Sequence, residues 1–86
     1  MRARAHRLRP VILVGAAGIS EALVAETDRA LHDHALIKVR LAAGDRVARK
    51  AQAERLAQAV DAELVQLIGR IAILYRPSDK APLELD

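Results

Sequence analysis

The stretch Pro10-Val-Ile-Leu-Val-Gly-Ala-Ala-Gly-Ile-Ser-Glu21 holds the pattern on which the predicted fold depends. Residues 10–14 form an apolar, partly β-branched run of strand length, and proline is tolerated at the first residue of a strand. Ser20 is a suitable N-cap, and a carboxylate at Glu21 is favourable at the positive end of a helix dipole. The stretch therefore predicts a buried strand and a following helix, joined by a turn that contains two glycines.

The rest of the chain continues this alternation. Residues 20 to about 34 have helical spacing, and their predicted buried stripe is Leu23, Thr27, Ala30 and Leu31. Residues 36–41 alternate between apolar and other positions, which predicts a strand that buries Ile37, Val39 and Leu41 and turns Leu36, Lys38 and Arg40 to the other side.

Residues 46–60 follow a potential cap at Asp45 and predict a helix that buries Ala48, Leu56, Ala59 and Val60. Residues 63–77 hold two strand-like runs joined at Gly69-Arg70, which is a hairpin signal.

The predicted element order is therefore β-α-β-α-β-β. Helices between the first three strands require crossover connections, so we expect an α/β (α+β two-layer) fold with a four-stranded mixed sheet and helices packed chiefly on one face. All four glycines fall at predicted junctions, which supports the assignment. With 86 residues the chain is expected to be a single domain, with a basic arm at 1–9 and an irregular tail at 78–86.

Composition excludes several kinds of chemistry. The chain has no cysteine, so disulfides and thiolate catalysis are impossible. Phe and Trp are absent and Tyr75 is the only aromatic residue, which leaves almost nothing on which bases can stack. No stretch is long and apolar enough to cross a bilayer, and the arginine-rich start is not followed by the apolar segment of a secretory signal. We therefore expect no membrane association and a cytoplasmic location.

The net charge of +3 is distributed unevenly along the chain. Residues 1–10 contain four arginines and no acid, and residues 38–55 contain six cations against two acids. Residues 20–34 are mainly acidic, and residues 79–86 carry a net charge of −2. A basic segment beside a basic arm suits a phosphate polymer or an acidic partner, but ordinary solvated surface has the same pattern.

The segment from Gly15 to Gly18 is a GxxG loop between a predicted strand and a predicted helix. Unpaired amides and the positive dipole end at such a junction can hold a phosphate without any side chain, and KH domains clamp a nucleic-acid backbone with a GxxG loop. Glycine is equally suited to a plain strand-to-helix turn, where it supplies a positive φ. The loop alone is consistent with both interpretations.

No pattern in the chain predicts an enzyme, a metal site or a cofactor. The glycine fingerprints of dinucleotide and nucleoside-triphosphate sites are absent. His32 and His34 are two residues apart on a helix, so they point in different directions and have no suitably spaced third ligand. Ser20 is better used as a cap, and Ser78 lies in the tail without a base close in sequence. We therefore expect a non-catalytic protein with no metal, no cofactor and no small-molecule substrate.

Three segments together resemble the CRM domain of the YhbY family of bacterial RNA-binding proteins. They are LRPVILVGAAGISEALVAETDRALHDHALIKVRLA, then GDR, then VQLIGRIAILYRP, and the resemblance runs from about Ala5 to Pro77. It implies a fold similar to the C-terminal domain of bacterial translation initiation factor three and binding of structured RNA. Stand-alone bacterial members of the family are associated with precursors of the large ribosomal subunit, which implies an assembly factor for that subunit.

The resemblance also implies an RNA-facing surface, in which the GxxG loop is supported by neighbouring cations. The residues predicted to bind RNA are Gly15, Ala16, Ala17, Gly18, Arg9, Lys38, Arg40, Arg46, Arg49, Lys50, Arg70 and Arg76. Ala16 and Ala17 depart from the polar residues common in such loops, so they offer only backbone donors. The family also usually has a helix ahead of the matching stretch, and a domain without that helix is expected to expose an apolar patch.

Two other functions fit the same patterns. One is a small duplex-DNA-binding module of the chromatin type, because other small β-α-β-α-β-β proteins bind DNA as dimers. The other is a protein-interaction domain that docks its basic face on an acidic protein.

Overall fold

The computed structural model describes residues 11–42 and 44–78. Its elements are β1 (Val11–Leu13), α1 (Glu21–His34), β2 (Leu36–Arg40), α2 (Arg46–Ala59), β3 (Glu63–Ile68) and β4 (Ile71–Tyr75). The predicted order is thus confirmed. The basic arm at 1–9, Pro10 at the predicted start of the first strand, and most of the tail lie outside the described residues. Val14 and Leu41, which we predicted to end their strands, fall just beyond them but are buried.

The four strands form one mixed sheet in the order β1-β2-β4-β3. β1 pairs in parallel with β2, and β4 pairs antiparallel with both β2 and β3. β1, β2 and β3 therefore point in the same direction. The predicted four-stranded mixed sheet is confirmed.

The hydrophobic core lies between one face of the sheet and the two helices, with α1 packed against β2 and α2 against β3. The sheet contributes Ile12, Ile37, Val39, Ala72 and Leu74. From α1, Leu23, Thr27 and Leu31 are buried as predicted, and Ala30 is partly buried. The hydroxyl of Thr27 donates to the carbonyl of Leu23 at 2.7 Å, so burial leaves no polar atom of this side chain unpaired.

The predicted buried stripe of α2 is half wrong. Leu56 and Val60 are buried, but Ala48 and Ala59 are exposed, and Ala53 and Ala57 are buried instead. The buried residues follow the spacing i, i+3, i+4 and i+7 from Ala53, and the two exposed alanines lie off that stripe. Alanine occurs on every side of this helix, so the identity of the residue does not reveal which side faces the sheet.

Both predicted helix caps are confirmed. The Ser20 hydroxyl oxygen accepts the Leu23 N–H at 3.1 Å, and a carboxylate oxygen of Asp45 accepts the Ala48 N–H at 2.7 Å. Ile19 and Val24 both pack against the core beside the first cap. These local bonds fix where each helix begins, and therefore where the preceding loops must lie.

The opposite face of the sheet carries no helix from the described part of the chain. It is formed by the outward side chains of residues 11–13, 36–40, 63–68 and 71–75, and we call it the open face. Val11, Leu13 and Ile68 on this face are 53%, 65% and 58% exposed. These three side chains give the open face an exposed apolar surface.

Candidate nucleic-acid interface

One end of the molecule collects the loops that the sequence associates with binding. Because β1, β2 and β3 point the same way, their carboxyl ends and the N-termini of both helices lie at that end. We call this the loop end, and it consists of the GxxG loop at 15–18, the segment leading from β2 to α2, and the hairpin turn at 69–70. Backbone bonds tie the three together: Val14 donates to Arg40 at 3.0 Å and Leu41 donates to Arg70 at 2.8 Å.

The GxxG loop is a tight turn that faces solvent. The Gly18 N–H donates to the Gly15 carbonyl at 3.0 Å, and Gly18 has a φ of +74°, which explains a glycine at this position. Ala16 and Ala17 are exposed, and a β-carbon added at either glycine would meet nothing within 4 Å. A ligand can therefore reach the backbone of this loop without displacing a neighbouring side chain.

The N-terminus of α1 is not a bare set of amides. The Leu23 amide is already satisfied by Ser20, as described above, and the Gly18 amide closes the turn. A phosphate at this place would therefore be bound by the exposed backbone around Ala16 and Ala17 rather than by the Leu23 amide.

Among the residues that the structure describes, five cationic side chains originate at the loop end. Arg40 ends β2, Arg46, Arg49 and Lys50 lie in the first turns of α2, and Arg70 lies in the hairpin turn. All except Arg49 are exposed. The structure thus brings together basic residues from three separate segments, which is the arrangement expected for a surface that binds a polyanion.

Arg49 has a structural role that the sequence did not indicate. Its Nε donates to the Gly69 carbonyl at 3.0 Å, and its Nη1 donates to the Gly44 carbonyl at 2.8 Å. The side chain therefore joins the hairpin turn to the entry of α2. It still contributes positive charge to the loop end, but two of its donors are used to hold the loops in place.

The remaining predicted cations lie elsewhere. Lys38 is half-buried on the open face, two residues before Arg40 on the same strand. Arg76 follows β4 at the opposite end of the sheet, where it binds the Asp28 carboxylate and the Val60 carbonyl, both at 2.7 Å. The structure therefore does not bring Arg76 to the GxxG loop. Arg9 lies outside the described residues.

Acidic side chains also lie at the loop end, because Asp45 caps α2 next to Arg46 and further carboxylates lie beside the GxxG loop. A groove of about 420 Å³ runs along α1 next to the GxxG loop, and it is lined by Ile19, Ser20, Glu21, Val24, Ala25 and Asp28. Its two carboxylates would repel a phosphate chain. The cations of β2, α2 and the hairpin lie outside this groove. The two surfaces on either side of the GxxG loop therefore differ in charge.

The described residues provide no other chemical centre. Among them there is no group of three or more His, Cys, Asp or Glu side chains arranged to hold a metal ion. Ser78 donates from its hydroxyl to the carbonyl of His32, and this bond fastens the segment after β4 to the end of α1. None of the helices in residues 11–42 and 44–78 has the length and hydropathy needed to cross a membrane.

Comparison with known proteins identifies the family. Residues 1–76 match the family model described as the CRS1 / YhbY (CRM) domain. The chain belongs to this family. The resemblance inferred from the GxxG stretch, the strand at 36–41 and the closing GRIAILYRP segment is therefore confirmed.

Similar proteins carry names that refer to RNA. A Haemophilus influenzae protein named "RNA-binding protein" is 39% identical over 85 residues, which covers 99% of this chain and 86% of that protein. A Pseudomonas aeruginosa protein named "Probable RNA-binding protein PA4753" is 44% identical over 75 residues, covering 87% of this chain and 72% of the relative.

A solved structure shows the same CRM fold. The solution structure of the Staphylococcus aureus protein SAV1595, a hypothetical protein described as a candidate RNA-binding protein, superposes with a TM-score of 0.74 at 36% sequence identity. The match covers 91% of this chain and 81% of that one.

Proposed function

We propose that this CRM-domain chain is a non-catalytic RNA-binding protein that acts in the cytoplasm on ribosomal RNA in precursors of the large ribosomal subunit. The observation that carries the proposal is the placement of a solvent-exposed GxxG turn at the same end of the sheet as four exposed cations, Arg40, Arg46, Lys50 and Arg70. The names of the relatives support RNA as the ligand.

In this proposal the loop backbone and the cations contact one phosphate chain. The exposed amides around Ala16 and Ala17 approach a phosphate directly, since neither residue has a side chain that extends beyond its β-carbon. The sheet is four strands wide, so β1 and β3 are separated by about 14 Å. The four exposed cations are distributed over this width. Phosphate contacts should therefore dominate affinity, with little preference for base sequence.

The carboxylate of Glu21 restricts the path along which a bound phosphate chain can leave the GxxG loop. Glu21 lies beside the GxxG loop on the side of the acidic groove. A phosphate chain that leaves the loop along α1 is therefore repelled. The same chain is attracted towards Arg40 and the start of α2. The path of lowest electrostatic energy therefore crosses the end of the sheet and avoids the outer surface of α1.

The experiment that tests this function is crosslinking of cellular RNA to the full chain, with the crosslinked positions mapped to sequence. We expect the large-subunit ribosomal RNA and its precursor to be enriched, and the protein to sediment with ribosomal particles in a ribonuclease-sensitive way. Enrichment of unrelated RNAs in proportion to their abundance would contradict the assignment to the large subunit.

Competition distinguishes the second nucleic-acid candidate. The same cations would also attract duplex DNA, since the electrostatic part of binding does not depend on the polymer. At matched salt we expect structured ribosomal RNA to displace duplex DNA from the protein. Equal or tighter binding of duplex DNA would favour the chromatin-type function instead.

A further inference from the structure

A groove runs between α2 and β3, along the edge of the sheet opposite β1. It has a volume of about 360 Å³. It is lined on one side by Arg46, Lys50 and Glu54 of α2 and on the other by residues 64–67 of β3. Leu64 and Leu67 are partly buried against the core, so they give the groove an apolar floor. We call it the α2–β3 groove.

The charges that line the α2–β3 groove are ordered along it. Arg46 lies at the loop end, Lys50 lies about one turn further along α2, and Glu54 lies about one turn beyond that. All three side chains are exposed. The other charged residues between positions 45 and 70 balance one another, because Arg49, Arg55 and Arg70 stand against Asp45, Asp61 and Glu63. A ligand in the groove therefore meets two cations near the loop end and one carboxylate further along.

The backbone of Leu67 offers a donor and an acceptor at this groove. A two-residue turn joins β3 to β4, and Gly69 at its first position has a φ of +57°, as a type II′ hairpin requires. Ile68 and Ile71 bond to each other across such a turn. The alternation of an antiparallel ladder then directs the N–H and C=O of Leu67 away from β4. Because Leu67 lines the groove, both groups are available to a ligand there.

A protein strand is a poor fit to this edge of the sheet. Strand addition needs a regular row of outward backbone groups. The register of β3 shifts between Leu64 and Gln66, which leaves Val65 as an extra residue opposite β4. A bulge of this kind interrupts the row and protects an edge strand against pairing. The edge therefore disfavours both an extended peptide and a second copy of the chain.

An unpaired nucleotide fits the same features. Its phosphate is attracted to Arg46 and Lys50, and the faces of its base pack on the leucine floor in place of the aromatic rings that this chain lacks. The edge of the base bonds to the backbone donor and acceptor of Leu67. The carboxylate of Glu54 accepts a bond from an exocyclic amino group and repels a carbonyl oxygen. The bases of a duplex cannot bind in this way, because their edges are already paired.

We propose that the α2–β3 groove binds one unpaired nucleotide of the RNA and selects a base with an exocyclic amino group, so that cytosine is favoured over uracil. This inference rests on the proposed RNA function, because phosphates of the same RNA contact the loop end. It adds one position at which a base is distinguished to binding that phosphate contacts otherwise dominate.

Single-stranded oligocytidylate and oligouridylate of about eight nucleotides are matched probes, since the two pyrimidines are of similar size and differ in the amino or carbonyl group of the ring. We expect the full chain to bind oligocytidylate about five-fold more tightly at about 0.1 M salt. In NMR spectra, oligocytidylate should shift the signals of residues 64–67 and of the GxxG loop. An RNA duplex of similar length should shift the GxxG loop without shifting residues 64–67.

Two substitutions separate the groove from the net charge. Glu54→Gln and Glu63→Gln each remove one exposed carboxylate, but only Glu54 lines the groove. Both should raise the affinity for both oligonucleotides slightly. Glu54→Gln alone should reduce the preference for oligocytidylate to less than about two-fold, because a glutamine amide can also donate to the carbonyl of uracil. Gly18→Asp should weaken both oligonucleotides and leave their ratio unchanged.

The outcomes separate this proposal from the proposed function. Equal affinity for the two oligonucleotides, with both weakened in Gly18→Asp, would overturn the groove assignment and leave the RNA function standing. A preference for cytosine that persists in Glu54→Gln would overturn it as well. Failure to bind either oligonucleotide or ribosomal RNA would contradict the RNA function itself, and the groove proposal with it. Shifts of residues 64–67 by an extended peptide, without shifts by oligocytidylate, would identify this edge as a strand-pairing site instead.

Discussion

Arg76 and Asp28 lie 48 residues apart in the chain, yet the Nη1 atom of Arg76 is 2.7 Å from a carboxylate oxygen of Asp28. The same guanidinium donates to the backbone carbonyls of Val60 and Asp28, at 2.7 and 3.0 Å. The Arg76 side chain is 21% exposed, whereas that of Asp28 is 59% exposed. One arginine therefore connects the segment after β4 to α1 and to the end of α2, at the end of the molecule opposite the GxxG loop.

This geometry predicts unequal effects of removing the two partners. Arg76→Ala should lower the free energy of unfolding by about 1–3 kcal/mol, since it removes the donor to the part-buried Val60 carbonyl together with both bonds to Asp28. Asp28→Ala should cost about 1 kcal/mol or less, because the carboxylate is largely exposed and both carbonyl bonds remain. Urea unfolding of the two variants checks this. Equal losses would mean that the ion pair, rather than the carbonyl contacts, provides the stabilisation.

Adjacent cations on α2 should behave differently. Arg49→Gln breaks the bonds to the Gly69 and Gly44 carbonyls and should lower the free energy of unfolding by about 1 kcal/mol as well as weakening RNA binding. Lys50→Gln removes the same charge from an exposed position, so stability should not change and only RNA affinity and its salt dependence should fall. Unfolding and RNA titration of both variants test the distinction. Indistinguishable stabilities would show that the Arg49 contacts contribute nothing measurable.

The position of a cation along α2 should matter more than the total charge. Arg46→Glu and Arg55→Glu make the same change in net charge, but the two residues are nine positions, or about 13.5 Å, apart along the helix. We expect Arg46→Glu to weaken RNA binding about ten-fold at about 0.1 M salt and Arg55→Glu to have a much smaller effect, because phosphates at the loop end are screened over about 10 Å. RNA titrations over a range of salt concentrations measure both, and equal losses would indicate attraction by net charge alone.

The core of this small domain should tolerate little loss of volume. Leu56 is fully buried between α2 and the sheet, so Leu56→Ala should lower the free energy of unfolding by about 2–5 kcal/mol. Val47→Ala, on the same helix at an exposed position, should change it by about 0.5 kcal/mol or less. Thermal and urea unfolding provide the measurement. A small effect at Leu56 would contradict the packing described for α2.

The parts of the fold that follow from the sequence are those fixed by neighbouring residues. Ser20 and Asp45 bond to amides three residues away, and the hairpin closes across Gly69 and Arg70. Short-range patterns of this kind can be recognised without knowledge of the tertiary structure. They were sufficient to predict the element order, whereas the family was inferred from the resemblance that runs from about Ala5 to Pro77.

Features that depend on distant parts of the chain could not be predicted in this way. Arg49 and Arg76 look like two more surface cations, and their most distant acceptors lie 20 and 48 residues away, respectively. The register shift between Leu64 and Gln66 carries no glycine or proline to indicate it. β4 is apolar at every position, so its sequence does not indicate which of its two sides faces away from the core.

The candidate site was predicted only in part for the same reason. The GxxG loop is formed by neighbouring residues, so the sequence was sufficient to predict a turn between the first strand and the first helix. Which cations share its end of the molecule depends on the strand order, which places Arg70 of the hairpin next to Leu41 after β2. The sequence therefore indicated the types of residue at the site, and the sheet topology selected among them.

The most direct test of the proposed function compares Gly18→Asp with Gly18→Asn. Both residues tolerate the positive φ of this position better than other side chains and have the same size, so the two variants differ mainly in one negative charge. Their affinities for large-subunit ribosomal RNA would be measured at about 0.1 M salt, with unfolding curves to verify equal stability. We predict that Gly18→Asp binds at least about ten-fold more weakly than Gly18→Asn, because its carboxylate stands where a phosphate should lie. Equal affinities would contradict the account, since they would show that the RNA backbone does not approach the GxxG loop.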